Sequence, residues 1–319
     1  MASMWSDVAD DIFASDQAVA FGYVTPAHGV VLTPMINLGL GDRAAGTMTS
    51  VSSSIAMFTK LTRLQQNPKV AIAYHTRAHS HSDRQEYVLV QGEASLSPLH
   101  DRNWLVTHQG AWEHFAGPRD VGPLWELWLR RYHWRIGINI AVERIMVWPD
   151  LQCGGPHTTY GNALPGAHPA PQRPPAKGTG PRVDHERAAR FVADQPNRLL
   201  SWVDSEGFPV IVAAEVRDTD EHGIVVTNPT GWAPQGGRRA GLLAHSFTRY
   251  AYGRTQRRYT GWMENDGGRL VYAPHTVAGC HIPASRSAYR LAAGYGTWRG
   301  YLRARRAGFP PLPATTNMP

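Results

Sequence analysis

The sequence predicts a mainly β fold, built as two tandem small antiparallel barrels with inserted helices in a chain of 319 residues. Three observations lead there. Short apolar runs recur between glycine-bearing turns, a rhythm that reads as β-hairpins. Residues 164–182, LPGAHPAPQRPPAKGTGPR, are crowded with proline and glycine and lack apolar periodicity, so they read as a semi-extended linker. The segments on either side of it run through similar elements in similar order. On this division the first barrel covers 1–155, the linker 156–182 and the second, divergent barrel 183–312, with 313–319 as a loose tail.

The first half begins with a short acidic helix, WSDVADDIFASD. Strands follow at 19–25, 29–38 and 44–52, then a helix at 55–66 and strands at 70–75 and 86–96. A helix at 123–133 precedes a last strand at 136–148. Many short strands with an inserted helix suggest closure into a barrel, which leaves few unpaired edges. In the second half the helix DHERAARFVADQ leads into the hairpin NRLLSWVDSEGFPVIVAAEV. Gly29 is matched with Gly207, and Gly92 of EYVLVQGEASL with Gly261 of RRYTGWMEN, at nearly equal spacing. Duplicated units produce such spacing; chance similarity of hairpins is the alternative.

Hydrophobic residues make up 42% of the chain, enough for a sizeable core. No run of about 18 apolar residues exists, so no membrane span is expected. The start, MASMWSDVADD, has acidic residues and no apolar h-region, which argues against a secretory signal and for a cytoplasmic protein. Two cysteines, Cys153 and Cys280, make neither a disulfide scaffold nor a thiolate zinc site. The formal charge of +7 favours anionic partners: nucleic acid, phosphorylated cofactors or acidic metabolites.

The junction TMTSVSSSIAMFTKLTRLQQNPKV, from Thr47 to Val70, carries the most chemistry. Ser53 or Ser54 can cap the helix that begins near Ile55, and Asn67-Pro68 ends it. Met57, Phe58, Leu61 and Leu64 fall on one arc, expected to face the barrel, with Lys60 beside it. Helical side chains lean toward the N-terminus, so Lys60 is expected to reach back to Ser52, Ser53 and Ser54, with Arg63 as a second cation. Hydroxyls, free N–H groups and an ammonium at one point suit a phosphate or carboxylate. Serines cap helices in many folds and lysines are commonly solvated, so the junction alone leaves both readings open.

The order of elements resembles the flavin-binding split β-barrel family, which includes pyridoxamine-phosphate oxidases and deazaflavin (F420)-dependent reductases. The resemblance lies in AFGYVTPAHGVVLTPMINL, SSSIAMFTKLTRLQQNPKVAIAY and EYVLVQGEASLSP. Its features are a glycine in the first hairpin, Pro34 in the second strand, Lys60 seven positions before Asn67-Pro68, and a YVxVxGxAxL-like strand from Tyr87 to Leu96. It covers residues 10–100 well and the rest of the first half loosely. The resemblance implies two split β-barrels with a flavin or deazaflavin in the seam between them. The coenzyme phosphate would lie at Ser52, Ser53, Ser54 and Lys60, with Arg63 nearby, and its ring against Met35 and Asn37. It also implies an oxidoreductase passing a hydride to a small organic substrate, with F420 or FMN as cofactor. The family builds the seam from two identical chains; this chain is expected to form an intrachain pseudo-dimer, with a homodimer left open. Thr62 and Arg63 depart from the family's Arg and Asn. In the second half NPTGWAPQGGRRAGLLAHSF replaces the serine-lysine junction, and Arg238 and Arg239 are its candidate charges. That half reads as a partner wall without its own cofactor site.

The stretch HTRAHSH holds His75, His79 and His81, which suit a metal or haem. A solvent loop near the cofactor mouth is the preferred reading, and haem and metal are disfavoured. The segment SRSAYRLAAGYGTWRGYLRARRAG reads as a basic helix, or a helix pair interrupted at Gly294 and Gly296. Its aromatics suit packing better than base stacking, so nucleic acid is disfavoured. No GxGxxG, GxxxxGK[ST] or GxSxG motif occurs, which fits an enzyme whose chemistry belongs to a bound cofactor. The second hypothesis is a split barrel that carries or senses a flavin or haem without turnover.

Overall fold

The computed structural model describes residues 4–52, 54–118 and 122–310. Helix α1 (Asp7–Ser15) opens on Ser6, whose hydroxyl accepts the Ala9 N–H, with Asp7 and Asp10 in the first turn where the helix dipole favours them. Strands β1 (Ala18–Val24), β2 (Val30–Ile36), β3 (Leu40–Asp42) and β4 (Thr47–Ser52) follow. A 3-10 turn, Ile55–Met57, runs into α2 (Phe58–Gln66), then β5 (Lys69–Tyr74) and β6 (Tyr87–Leu96). Helices α3 (Trp104–Thr107), α4 (Gln109–Ala116) and α5 (Pro123–His133) precede β7 (Ile136–Trp148) and β8 (Thr158–Gly161). The second half comprises α6 (His185–Ala193), β9 (Asn197–Val203), β10 (Pro209–Ala213), β11 (Glu215–Asp220), β12 (Gly223–Thr227), β13 (Gly236–Ser246), β14 (Thr255–Asn265), β15 (Leu270–His281) and α7 (Arg286–Arg306).

The chain is mainly β: two antiparallel sheets with inserted helices, arranged as tandem split β-barrels. The first sheet runs β2-β1-β5-β6-β7-β4-β3, with β8 on β7; the second runs β10-β9-β13-β14-β15-β12-β11. The two orders coincide strand for strand. Gly92 and Gly261 both sit at a register shift in equivalent strands. A Cβ at either would run into a carbonyl oxygen of the next strand, Ala141 or Ala273. The pairing of Gly29 with Gly207 is displaced by one residue. The hairpins close through Thr25 N–H to Gly29 O and Asp204 N–H to Phe208 O, so Gly207 corresponds to His28. Both occupy the left-handed region, at φ 89° and 57°. What the turns share is a backbone conformation, and its glycine lies one position away from where it was matched.

Strand alternation sends the side chains of β1 into two different cores. On β1, Val19 and Phe21 face the first barrel's own interior, with Ile72, Val88 and Ile140. Ala20 and Val24 point the other way, into a cluster that joins Leu32, Leu89 and Trp148 to Leu200, Ile211, Leu242 and Tyr272 of the second half. Small residues permit that approach. A Cβ at Gly22 would lie 3.0 Å from Ile211, and one at Gly241 would lie 2.5 Å from the Val30 carbonyl oxygen. The halves are therefore held face to face by the apolar burial that stabilises a core.

Several boundaries differ from expectation. Most strands shift by a residue or two, and β3 is an additional short strand paired with β4. Thr158–Gly161, inside the expected linker, forms β8 against β7. The rest of the linker lies along the second sheet: Gln172 N–H bonds to Gly237 O, and Pro169 O accepts from Arg238. A proline-rich chain is already extended, and so it docks on a sheet at small entropic cost. Of the two readings of the basic segment the single helix holds: α7 runs unbroken through Gly294 and Gly296. Gly294 lies against the Trp128 indole and Gly300 against Ala56, where no side chain would fit, so close packing offsets their weak helix propensity. The 313–319 tail lies outside the described residues. Among the described residues no helix is long and apolar enough to cross a membrane.

Candidate functional site

A cavity of about 780 Å³ lies in the seam. The β1–β2 hairpin, the start of α2, strands β13 to β15, the linker and α7 all contribute to it. Its cations are Lys60, Arg63, Arg182, Arg239, Arg258 and Arg303, and its lining includes no aspartate or glutamate.

Lys60 is set there by a change of helical phase. Ser54 caps the 3-10 turn, its hydroxyl accepting the Ala56 N–H at 3.2 Å. A turn of about 3.0 residues feeding one of 3.6 rotates the helix that follows. The buried face of α2 is consequently Lys60, Leu61 and Leu64, while Met57 and Phe58 turn toward the cavity rather than the barrel. Lys60 is 2% exposed. Its Nζ lies 3.5 Å from Met35 Sδ and 5.7 Å from the centroid of the Phe21 ring. Among the described residues no carboxylate stands within ion-pair distance of it. Burial, and then the nearby Arg258 and Arg135, push its pKa down to about 7. A buried ammonium surrounded by like charge is costly unless an anion joins it.

Four of the other cations meet neutral groups. Arg63 lies over the Tyr23 ring at 5.9 Å, and Arg258 donates to Thr33 Oγ1 at 3.5 Å. Arg239 donates to Gln172 Oε1 at 3.2 Å, and Arg182 to Gly178 O at 2.8 Å. Neighbours of this kind orient guanidinium groups without neutralising them, and the cavity remains strongly cationic.

The structure separates the expected site residues. Lys60 and Arg63 line the cavity together. Ser52 and Ser54 do not: Ser52 Oγ donates to Ser54 O at 3.5 Å and Ser54 Oγ to Arg131 O at 2.9 Å. The junction serines bond within and beside the strand-to-helix turn and are not among the residues lining the cavity. Ser53 lies outside the described residues. Met35 touches Lys60 but lines a neighbouring cavity. Asn37 is a structural amide, donating to Phe13 O at 2.7 Å and Asp16 O at 2.8 Å while its own oxygen accepts the Gly39 N–H. Both of its N–H donors are thereby taken. Of the second-half pair, Arg239 lines the cavity, whereas Arg238 is buried and bonded to Pro169 O and Gln235 O. Adjacent strand residues point to opposite faces, which separates them. Arg182, Arg258 and Arg303 were not singled out; the RR pair in β14 and the alternation rule were the available signal for Arg258.

The equivalent place on the other side of the seam is a smaller cavity, of about 190 Å³, whose lining includes Asp204. Hairpin residues 204–208 occupy the position of 25–29. Arg144 forms an ion pair with Glu206 and stands 3.9 Å from Asp204. Gln91 donates to Asp204 at 3.1 Å, and Lys69, the counterpart of Arg239, donates to Glu206 O at 2.5 Å. Two acidic residues of the chain itself thus answer the cations on this side, whereas the first side's cavity lining has no acid.

The histidine stretch is not a solvent loop throughout. His75 is buried, with Nε2 2.8 Å from Nε2 of His245, its counterpart in the second sheet. His75 Nδ1–H donates to Ala73 O at 3.1 Å, so its Nε2 accepts from His245 Nε2–H. Burial drops the pKa of His75 to about 4 and holds that of His245 well below the usual imidazole value. His79 and His81 are exposed and pack beside Phe247 and His114. None of the three lines the seam cavity.

No protein-family model and no curated protein sequence matches the chain. Among solved structures it is similar to a pyridoxinephosphate-oxidase-family protein related to general stress protein 26, from Clostridium acetobutylicum. That pair has 13% identity and a TM-score of 0.32, over 48% of this chain and 91% of the other. A conserved hypothetical protein from Mycobacterium tuberculosis has 19% identity and a TM-score of 0.34, over 50% and 95%. An F420 reductase has 13% identity and a TM-score of 0.31, over 43% and 94%. The solved structures that this chain resembles include pyridoxamine phosphate oxidase-like, F420 reductase and FAD-binding proteins, each aligned with about half of the present chain.

Proposed function

We propose that the chain is a flavin- or deazaflavin-dependent oxidoreductase, an intrachain pseudo-dimer of duplicated barrels with one coenzyme place in its seam. The observation that carries this reading is Lys60: a buried ammonium without a carboxylate partner among the described residues, on the wall of a cavity with five arginines and no acid. Such a cavity fits an anionic coenzyme tail. Six cations exceed the need of the single phosphate of FMN and favour F420, whose tail carries several anionic groups. When bound in its reduced form, the coenzyme supplies the hydride. The residues of the chain bind and orient: Lys60, Arg63 and Arg258 receive the anion from the two halves. No protein nucleophile is required.

The test is a titration of the purified full chain with F420 and with FMN, followed by absorbance near 420 and 450 nm (approximate values intrinsic to the coenzymes). F420 is expected to bind at least about tenfold tighter, a difference of roughly 1.4 kcal/mol. Failure of both coenzymes to bind would reject the reading. Turnover of the reduced coenzyme against a panel of small organic acceptors then separates an enzyme from a carrier.

A further inference from the structure

Eight large hydrophobic side chains are exposed among the described residues, and six of them lie on α5 and α7. On α5 they are Leu124, Leu127 and Trp128; on α7 they are Leu291, Tyr295 and Trp298. Leu124 is 81% exposed and Leu127 65%. Apolar side chains scattered singly over a surface need no explanation, but six on one helix pair mark a face that meets something.

The two sets adjoin. Residues 291, 295 and 298 recur at spacings of four and three, so they form one stripe along α7. The opposite face of α7 does the packing: Ala304 is buried there, and Gly300 lies against Ala56. Trp128 connects the helices, its indole N–H donating to Arg290 O at 3.1 Å and its ring lying against Gly294. Leu291 and Trp298 stand about one turn to either side of Gly294, and Leu124 one turn before Trp128.

The rim of this face is basic. Helix α7 carries six arginines and no aspartate or glutamate, and α5 carries Arg130 and Arg131 against one acid, Glu126. Arg299, Arg305 and Arg306 are exposed, and no carboxylate among the described residues stands within ion-pair distance of them. Helical rotation puts Arg299 and Arg306 on one flank of the stripe and Arg305 on the other. The Arg299 guanidinium lies 5.7 Å from the centroid of the Tyr295 ring. Arg303 faces the seam cavity and does not belong to this rim.

We propose that the α5–α7 face binds the surface of an anionic lipid bilayer, with its leucines and indoles at the acyl boundary and its arginines on the headgroup phosphates. Tryptophan and tyrosine favour that boundary, leucines gain there by leaving water, and each arginine near an anionic surface adds attraction. A second copy seated on this face would set two acid-free arginine helices against each other, with like-charge repulsion. A nucleic acid would answer the arginines and stack on the rings but leave Leu124, Leu127 and Leu291 in water. None of the six apolar residues lines the seam cavity, so this surface does not rest on what the seam holds.

The test is sedimentation of the full chain with vesicles of phosphatidylcholine alone, or of phosphatidylcholine and phosphatidylglycerol in equal parts. Binding to the mixed vesicles is expected to be at least about tenfold stronger than to the neutral ones and to weaken as salt is raised. Leu124→Ser combined with Leu127→Ser and Leu291→Ser changes only exposed side chains and should weaken binding to the mixed vesicles at least about tenfold. Arg299→Gln combined with Arg305→Gln and Arg306→Gln keeps the leucines and should remove the preference for mixed vesicles. Absence of binding, equal binding to both kinds of vesicle, or full binding by the leucine variant would overturn the proposal. So would a wild-type dimer, seen by light scattering, that forms through these leucines while vesicles stay unbound, or a mixed-sequence oligonucleotide that binds where vesicles do not.

Discussion

Replacing Lys60 by methionine should make the coenzyme-free protein more stable and its anion binding weaker. The methionine side chain keeps most of the lysine stem's packing beside Phe21 and Met35 and removes the ammonium. Lowering the lysine pKa from 10.5 to about 7 means that the fold rejects a proton the unfolded chain holds. At about 1.4 kcal/mol per pH unit, the cost is about 5 kcal/mol well below pH 7 and about 4 kcal/mol at pH 7, and it vanishes above pH 10.5. Wild-type stability should therefore rise with pH between about 7 and 10.5. In urea titrations at pH 7, Lys60→Met should gain about 2–4 kcal/mol, and its extra stability should shrink by pH 10. The same variant should lose about 1.5–3 kcal/mol of F420 affinity, roughly 10- to 150-fold, because a charged hydrogen bond is lost. A variant that is less stable at pH 7, keeps the wild-type pH slope and binds the coenzyme unchanged would refute the assignment of Lys60 as an uncompensated cation awaiting an anion.

Other consequences are open to the same measurements. Asn37→Ala should cost about 1–3 kcal/mol of stability, since two buried carbonyls lose their donor, and should leave coenzyme affinity unaltered; a selective loss of affinity would return Asn37 to the site. Gly241→Val should cost about 3 kcal/mol or more by pressing on the Val30 carbonyl across the seam, and a neutral result in urea would show that the halves do not meet as described. The His75–His245 pair excludes protons while the unfolded chain takes them up, so stability should fall as pH drops from 6.5 to about 4, by about 3 kcal/mol from His75 alone. Arg77 and Arg254 are the charges that bear on the pair, and both resist its protonation. His75→Leu combined with His245→Leu should flatten that slope; an unchanged slope would place the acid sensitivity elsewhere.

Local chemistry made the strand runs, the proline-rich divide and the Asn67-Pro68 stop readable along the chain, because period-two alternation and backbone restriction act over a few residues. Lys60 and Arg63 were legible for the same reason, as cations on one short helix. Their company was not. Ser52 and Ser54 adjoin them in sequence, yet their hydroxyls bond to the Ser54 and Arg131 carbonyls and they do not line the cavity. Asn37 carries the right functional groups, but its hydrogen bonds are consumed by Phe13 and Asp16, which only the packed hairpin brings near. Arg182, Arg239, Arg258 and Arg303 reach the cavity from four separate segments, and His75 finds His245 across the seam, 170 positions away. The sequence by itself determined which segments pair as strands and where the cationic helix begins. Only the tertiary structure decided which charges share one cavity, because that depends on how two apolar sheet faces dock, and burial has no preferred direction along the chain.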